Sequence, residues 1–466
     1  MMKTNPINHI PASFRDPSGF MFIKGDELLR QVNQVYQVNY DLLLSSGLYQ
    51  KLVEKKIIIE HQEINLEPPQ PETAYKIIKP EKVDVISYPY EWSFSQLKDA
   101  ALCTLAIQKM AIGLGMSLKD ASAYNIQFHK GNPLLIDTLS FEKYEEGKPW
   151  IAYRQFCQHF LAPLALMAKV DIRFNKLLRI HIDGIPLDLC DRVLPLSTRF
   201  NIGLFTHIHL HARAQERYSD KQIPVRTSHR TFSKMAMLGL IENLESTIRK
   251  LHWQPQGTEW ADYYQIINYS DSSFETKKEL VAQFIKKINP QKILDLGANN
   301  GVFSRLANET PGCLVISTDI DPAAVEINYL QCKKENAANI LPLVIDLTNP
   351  SPSIGWHNKE RASFIERGQV DLVMALALVH HLAISNNVPL NDIAAIFAGL
   401  GQYAIVEFVP KEDSQVQRLL RSRLDIFPSY TLDGFIEAFS QAFEILERTN
   451  IEGTQRVLFL LKKKAG

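Results

Sequence analysis

The stretch that most constrains this chain is residues 292–308, KILDLGANNGVFSRLAN. Ile293–Leu296 is a short apolar run suited to a buried strand, and Gly297-Ala298-Asn299-Asn300-Gly301 is a tight turn bounded by glycines. From Val302 the pattern is helical. Strand, glycine turn and helix form the first half of a βαβ nucleotide-binding unit. Glycine lets a ligand come close to the backbone, and the helix start offers it free N–H groups.

Polar groups then follow one apolar run after another. Residues 313–318 lead into Asp319-Ile320-Asp321, at the spacing from the glycine turn where an acid commonly accepts hydrogen bonds from a ribose diol. Residues 341–345 lead into Asp346-Leu347, residues 370–378 into His380-His381, and residues 403–406 into Glu407. The C-terminal ends of strands are where open α/β sheets bind ligands.

These motifs resemble the class I S-adenosylmethionine-dependent methyltransferases: DLGANNG as the glycine motif, TDID as the ribose-binding acid and VIDL as the adenine-side motif. The resemblance implies a Rossmann-like, seven-stranded α/β sheet and S-adenosylmethionine as cofactor. Its contacts would be Asp295, Gly297, Ala298, Asn299, Gly301, Asp319, Ile320, Asp346 and Leu347. A dinucleotide-binding dehydrogenase also places an acid after its second strand, but GANNG is not G-x-G-x-x-G, and Asp295 lies inside the first strand. A final strand pair, residues 443–450 and 456–462 around Glu452-Gly453, fits the methyltransferase sheet and is not expected in a simple dinucleotide-binding half.

Methyl transfer from a sulfonium needs an aligned acceptor, and a hydroxyl acceptor also needs a base. His380 and His381 offer imidazoles at the end of the fourth run. Glu407 is placed to orient one of them or to bind a substrate hydroxyl. The plainer reading packs one histidine against the sheet and pairs Glu407 with a cation. The N/D-P-P-[YF] signature of many amino-group methyltransferases is absent here, which favours an oxygen acceptor.

The N-terminal part reads as α+β. Residues 20–23 and 28–32 form a hairpin around Lys24-Gly25-Asp26-Glu27, a helix spans about 39–55, and residues 57–59 and 83–86 are strand candidates. A helix follows over 95–114, with a cap-like serine in front. Residues 126–128 and 134–136 then flank a turn. Asp120 and Asn125 precede this second hairpin and Asp137 closes it, a spacing that resembles the catalytic core of the protein-kinase-like fold. The resemblance implies Asp120 as acceptor of a hydroxyl proton, with Asn125 and Asp137 holding Mg²⁺ against ATP. Arg30 stands where a nucleotide-contacting lysine is expected. Leu118-Lys119 replaces His-Arg, Thr138-Leu139 replaces Phe-Gly, and no glycine-rich loop is visible; the plain alternative is that these residues cap turns.

Residues 150–251 read as mostly helical, with Pro163 interrupting an apolar run. On a strand His207, His209 and His211 would share one face, and on a helix His207 and His211 would, but no acidic or cysteine partner sits at ligand spacing, so ordinary polar positions flanking a buried helix are expected and no dedicated metal site. Residues 254–273 are polar and aromatic, a connector whose Tyr264 and Tyr269, with the following Lys277, are candidates to cover the cofactor. The organisation expected is an N-terminal α+β lobe over 1–92, a mostly helical lobe over 93–253 and a methyltransferase domain over 254–466. A length of 466 residues suits more than one domain.

Lys plus Arg and Asp plus Glu each number 51, so no electrostatic footprint marks an obligatory nucleic-acid partner. Five scattered cysteines without a C-x-x-C pair suggest free thiols, and the N-terminus lacks a signal-peptide core. A cytoplasmic protein without a membrane span is expected; the oligomeric state is not indicated. FRDPSG, YPYEWSFSQLKDAAL, IDTLSFE, DLGANNG and EFVPKEDSQVQRLL together resemble the bacterial nodulation-type (NoeA-like) methyltransferases. That implies methylation of a carbohydrate or related surface molecule, and a hydroxyl of a carbohydrate or small molecule is the acceptor expected. The alternative is a bifunctional kinase–methyltransferase acting on a glycan or similar acceptor.

Overall fold

The computed structural model describes residues 7–213, 232–255, 271–421 and 424–465. By its contacts the chain divides into two compact units, residues 1–254 with 353–362, and residues 255–352 with 363–466.

The first unit opens with strands β1 (Ile7–His9), β2 (Gly19–Lys24), β3 (Glu27–Asn33), β4 (His61–Ile64) and β5 (Ala74–Pro80), an antiparallel sheet in the order β1-β2-β3-β5-β4. The expected helix near 39–55 is two, Gln37–Ser45 and Leu48–Glu54, because Gly47 turns the chain through φ +73°. Residues 83–86 are not a strand. The segment's outgoing end is fixed by a side chain instead: Ser87 N donates to Gln127 Oε1 and Gln127 Nε2 donates to the Ser87 carbonyl, both at 2.9 Å. Residues 57–59 contribute only an isolated bridge from Ile58 to Leu135.

Helix Phe94–Gly113 starts at a capping box in which Ser93 and Gln96 bond each other's backbone N–H. Beyond it lie β6 (Met116–Leu118), β7 (Ile126–His129), β8 (Asn132–Leu135) and β9 (Phe141–Lys143), pairing as β6–β9 and β7–β8. Short helices make up much of residues 153–210. The apolar run at 156–168 passes through a wide i→i+5 turn over Cys157–Leu161 into an α-helix over Ala162–Lys169, and Pro163 follows directly on the wide turn without ending the helix.

The second unit is built on β10 (Lys292–Leu296), β11 (Leu314–Asp319), β12 (Ile340–Val344), β13 (Val370–Ala375), β14 (Gly401–Phe408), β15 (Phe443–Asn450) and β16 (Val457–Lys463). Their order is β12-β11-β10-β13-β14-β16-β15; the first five run parallel and β16 enters antiparallel between β14 and β15. Near-continuous Ile, Leu and Val in β10 and β12 reflect burial on both faces. Pro342 is tolerated because β12 is an edge strand. Val281, Phe284 and Ile285 of helix Asp271–Ile288 join Ile293, Val315, Leu372, Ile405 and Leu458 in the core.

Candidate active site

The glycine turn works because two positions need glycine. Gly297 has φ +69° and Gly301 φ +80°; at Gly301 a Cβ would fall 2.3 Å from Asn328 Oδ1. Asn299, between them, takes φ +53°, a conformation asparagine tolerates better than most residues. The turn is tied to the next strand: Ala298 N donates to the Thr318 carbonyl at 2.9 Å, and Asn299 N to Asp319 Oδ2 at 2.8 Å. Asp319 Oδ1 takes Asp321 N at 2.9 Å, while Asp321 caps helix Pro322–Glu335.

Beneath the turn, Asp295 accepts from Ser304 Oγ at 2.6 Å, and Ser304 lies 2.7 Å from Ser317 Oγ, which in turn accepts from Asn328 Nδ2 at 2.8 Å. Burial pushes the Asp295 carboxyl up to about 7, against the Ser304 hydrogen bond. Burial also pushes Asp319 up to about 6, although its backbone N–H bonds pull the other way.

A cavity of about 280 Å³ opens at the C-terminal ends of the parallel strands. Asp295, Gly297, Ala298, Asn299, Asp319, Ile320, Asp346, Leu347 and His381 of the expected set line it together. Gly301 instead starts helix Val302–Asn308 from the far end of the turn. Lys277 also lines the cavity. Phe274, Phe303, Thr348, Ser385 and Asn386 line it too; Phe303 and Thr348 adjoin the motifs already read, whereas nothing local marked Phe274, Ser385 or Asn386. Tyr264 and Tyr269 lie outside the described residues.

The two histidines part company. His381 lines the cavity, and burial, aided by the Arg456 charge, lowers it to about 4. His380 is wholly buried, is not among the lining residues, and has no hydrogen-bond partner on either ring nitrogen among the described residues. Their ring centroids are 4.0 Å apart. The segment around them is irregular: Ala377 has φ +52°, and His381–Ser385 is another i→i+5 turn, a form frequent at functional sites.

Glu407 is fully buried and outside the lining. Its Oε2 lies 2.6 Å from Lys277 Nζ and its Oε1 3.1 Å from Arg456 Nη1; Arg456 Nε reaches Asp413 Oδ2 at 2.8 Å. Two cations flank it, as the plainer sequence reading had it, and Lys277 is the member of this chain of charges that reaches the cavity.

In the first unit Asp120, Asn125 and Asp137 do converge, with Ser140 Oγ donating to Asp137 Oδ2 at 2.8 Å and accepting from Asn125 Nδ2 at 3.4 Å. The metal-holding role expected of Asp137 meets an obstacle: Arg30 forms an ion pair with its Oδ1, which also accepts Leu139 N at 2.9 Å. Burial would raise Asp137, but Arg30 and these hydrogen bonds hold it below its ordinary range. Asp120 Oδ1 accepts Ser122 N at 3.0 Å and Gln155 Nε2 at 2.8 Å, and burial with the Asp137 charge raises its carboxyl. Among the described residues no cluster of three or more His, Cys, Asp or Glu is arranged to hold a metal. His207, His209 and His211 are helical and separately engaged, with Tyr153 and Asn243, with Asp191 and Thr198, and against the Tyr153 ring. All five cysteines are buried free thiols, and no described helix is long and apolar enough to cross a membrane.

No family model matches the chain. It is 35% identical over 461 residues to the nodulation protein NoeA of Rhizobium meliloti (strain 1021), covering 97% of this chain and 96% of that protein. Among solved structures it is similar to the N-methyltransferase NodS of Bradyrhizobium japonicum WM9, at 12% identity and TM-score 0.32 over 42% of this chain and 99% of that one. It is also similar to the bifunctional kinase-methyltransferase WbdD, at 13% identity and TM-score 0.31 over 46% and 45%. The chain belongs to the family of the nodulation protein NoeA, and its second unit has the fold of the class I S-adenosylmethionine-dependent methyltransferases.

Proposed function

We propose that this protein uses S-adenosylmethionine to methylate a hydroxyl of a carbohydrate or other small molecule. The observation that carries the reading is that one cavity gathers the glycine turn, Asp295, Asp319, Asp346, Lys277 and His381. The residues suit the cofactor group by group. Asp319 would accept the ribose hydroxyls, Asp346 and Leu347 with Ile320 and Ile345 would hold the adenine, and Asp295 would face the amino group. Lys277 would face the carboxylate. Gly297, whose added Cβ would fall 3.0 Å from Leu378 Cδ1, leaves the turn open beside the cavity wall.

When bound, the cofactor supplies a methyl group on a sulfonium, already activated toward a nucleophile. The protein's share is positioning and proton removal. His381, held neutral, would take the proton of an acceptor hydroxyl, while Phe274, Phe303, Leu376 and Leu378 give the cavity an apolar wall. The one Lys or Arg among the described lining residues, Lys277, would face the cofactor's carboxylate, which leaves no second cation there for an anionic acceptor; His381, Ser385 and Asn386 suit hydroxyls.

Phosphoryl transfer in the first unit draws support from the meeting of Asp120, Asn125 and Asp137. The carboxylate oxygens there are engaged by Arg30, Ser140, Gln155 and backbone N–H groups, so the cluster does not fit Mg·ATP. We read residues 1–253, as α+β and helical lobes of kinase-like order, as a module that serves the methyl-transfer site. Calorimetric titration of the full chain with S-adenosylmethionine, S-adenosylhomocysteine and Mg·ATP tests both readings. Binding of the first two is expected; no binding of S-adenosylmethionine overturns the proposal, and tight Mg·ATP binding restores the two-activity reading.

A further inference from the structure

Helix Val302–Asn308, VFSRLAN, sets a serine between Phe303 and Ala307 on the face turned to the sheet, and all three are buried. A serine in a helix commonly returns its hydrogen to the carbonyl four residues back. Here that carbonyl, of Asn300, accepts Arg305 Nη1 at 2.9 Å, and Ser304 Oγ reaches Asp295 Oδ2 at 2.6 Å instead. The contacts continue away from the cavity. Ser317 Oγ lies 2.7 Å from Ser304 Oγ, Asn328 Nδ2 2.8 Å from Ser317 Oγ, and Asn328 Oδ1 3.3 Å from Arg305 Nη1. Asp295, Ser304, Ser317 and Asn328 are all buried, and of these five residues only Asp295 lines the cavity.

The chain of contacts has a direction, and Arg305 sets it. A guanidinium donates and cannot accept, so it holds the Asn328 amide with Oδ1 toward itself and Nδ2 toward Ser317. The Cys332 thiol, 3.5 Å from the same Oδ1, favours the same orientation. Ser317 therefore accepts from Asn328 and has its own hydrogen to give to Ser304, which keeps its hydrogen for Asp295. Every donor points toward the carboxylate. Hydrogen bonds strung in one sense polarise one another, and a donor aimed at a carboxyl favours its charged form. Burial favours the neutral acid at Asp295, and the Ser304 bond opposes it.

We propose that Ser304 is a positioning residue for the cofactor's amino group: backed by Ser317, Asn328 and Arg305, it orients the Asp295 carboxyl and biases it toward the charged form that an ammonium group needs. This role rests on the cofactor reading above, and adds to it four residues that do not line the cavity. It bears on the amino-acid end of the cofactor alone, since the adenine and ribose fall to other residues.

The test compares two probes by calorimetry on the full-length protein: S-adenosylhomocysteine, and 5′-methylthioadenosine, which keeps the adenine, ribose and thioether but has no amino or carboxylate group. Ser304→Ala should weaken S-adenosylhomocysteine by about tenfold at pH 6 and by less than about threefold at pH 8.5, and leave methylthioadenosine within about twofold at both. Asp319, at the end of β11, and Lys277 also face Asp295; both are unchanged in the variant, so their titration and the ligand's cancel in the ratio to the parent. Ser317→Ala leaves the Ser304 donor in place and should lower S-adenosylhomocysteine affinity at pH 6 by a smaller factor. Should the alanine variant fail to fold, Ser304→Cys, of similar volume with a weaker donor, should show the same pattern in smaller measure. Equal losses for the two probes, or a loss that does not change with pH, overturns the proposal and makes Ser304 a packing residue. If the parent itself does not bind S-adenosylhomocysteine, the cofactor reading falls, and this role with it.

Discussion

Lys277 Nζ lies 2.6 Å from Glu407 Oε2, with both side chains almost wholly removed from solvent. The lysine comes from the helix before the first parallel strand and the glutamate from near the end of the fifth. Burial lowers the lysine below its ordinary range despite the glutamate beside it. A pair like this is costly to break from one side, since the survivor is left as a buried charge. Glu407→Gln should therefore destabilise the second unit by about 3 kcal/mol, softened where Lys277 gives up its proton. Thermal or urea unfolding measures this, and a variant as stable as the parent would mean that the pair contributes nothing.

The two raised carboxyls make a pH prediction with a definite sign. Asp295 at about 7 and Asp319 at about 6 hold protons in the folded, ligand-free state that an unfolded chain releases near 4. Their contribution to stability is complete below about pH 4 and is lost as pH rises through 6 to 7. A cationic amino group and ribose hydroxyls favour the charged carboxylates, so binding should release protons and strengthen as pH rises from 5 to about 7.5. Titrations in two buffers of different ionisation enthalpy report that proton release directly; Asp295→Asn should lose much of it.

Much of this site was legible because its chemistry sits where runs of Ile, Leu and Val stop. In a parallel sheet buried on both faces such runs mark the strands, so Asp319, Asp346 and the His380-His381 pair could be placed at strand ends, though not which histidine lines the cavity. Phe274, Ser385 and Asn386 could not, because a packed helix and an i→i+5 turn aim them at the cavity, and neither leaves a local signature. The Lys277–Glu407 pairing depends on a tertiary contact that no local pattern encodes. Residues 83–86 misled for the opposite reason: an apolar segment that looks like a strand has its neighbour Ser87 bonded by the Gln127 side chain. Strand β5, with lysines among its isoleucines and prolines before it and at its end, was not expected, because it lacks a clean alternation.

Asp319 is expected to be the largest single polar contributor to cofactor affinity. Asp319→Ala removes ribose hydrogen bonds to a charged group and frees Asn299 N from its partner, so binding should weaken by about 1–3 kcal/mol. Calorimetry reads this directly, and unchanged affinity would place the ribose elsewhere. Asp346→Ala should cost less, since it bears on the adenine edge alone.

Gly301→Ala tests the turn apart from any ligand contact. A left-handed alanine costs about 1–2 kcal/mol, and the new Cβ would also displace Asn328, whose amide bonds Ser317. Loss of stability should therefore come with weaker cofactor binding, because Ser317, Ser304 and Asp295 are connected. Stability lost with affinity intact would separate the turn's folding role from the site.

His381 and His380 should behave differently when replaced. His381→Asn keeps a polar group at the cavity but removes the base, so methyl transfer to a hydroxylated acceptor should fall by about 10²–10⁴ while S-adenosylmethionine affinity holds. His380→Asn, away from the lining, should act mainly through packing and lower the thermal midpoint first. Equal losses of turnover at equal stability would show that the pair works as one.

Arg30 decides what the acidic cluster of the first unit can be. The guanidinium neutralises Asp137 and also reaches Asp16 at 3.0 Å, so Arg30→Met leaves two carboxylates beside a non-polar side chain. Because Asp137 is held below its ordinary range, its stabilising contribution is present above about pH 4 and lost as pH falls through the lowered value. Without Arg30, burial alone would raise that carboxyl, so the variant should lose about 3 kcal/mol at neutral pH and should respond less to acid. Arg30→Lys should recover part of it. If the cluster is structural, adding Mg·ATP leaves the melting temperature of the parent and of both variants unmoved. If Arg30 merely shields a metal site, Mg·ATP should stabilise Arg30→Met more than the parent, and the phosphoryl-transfer reading would return.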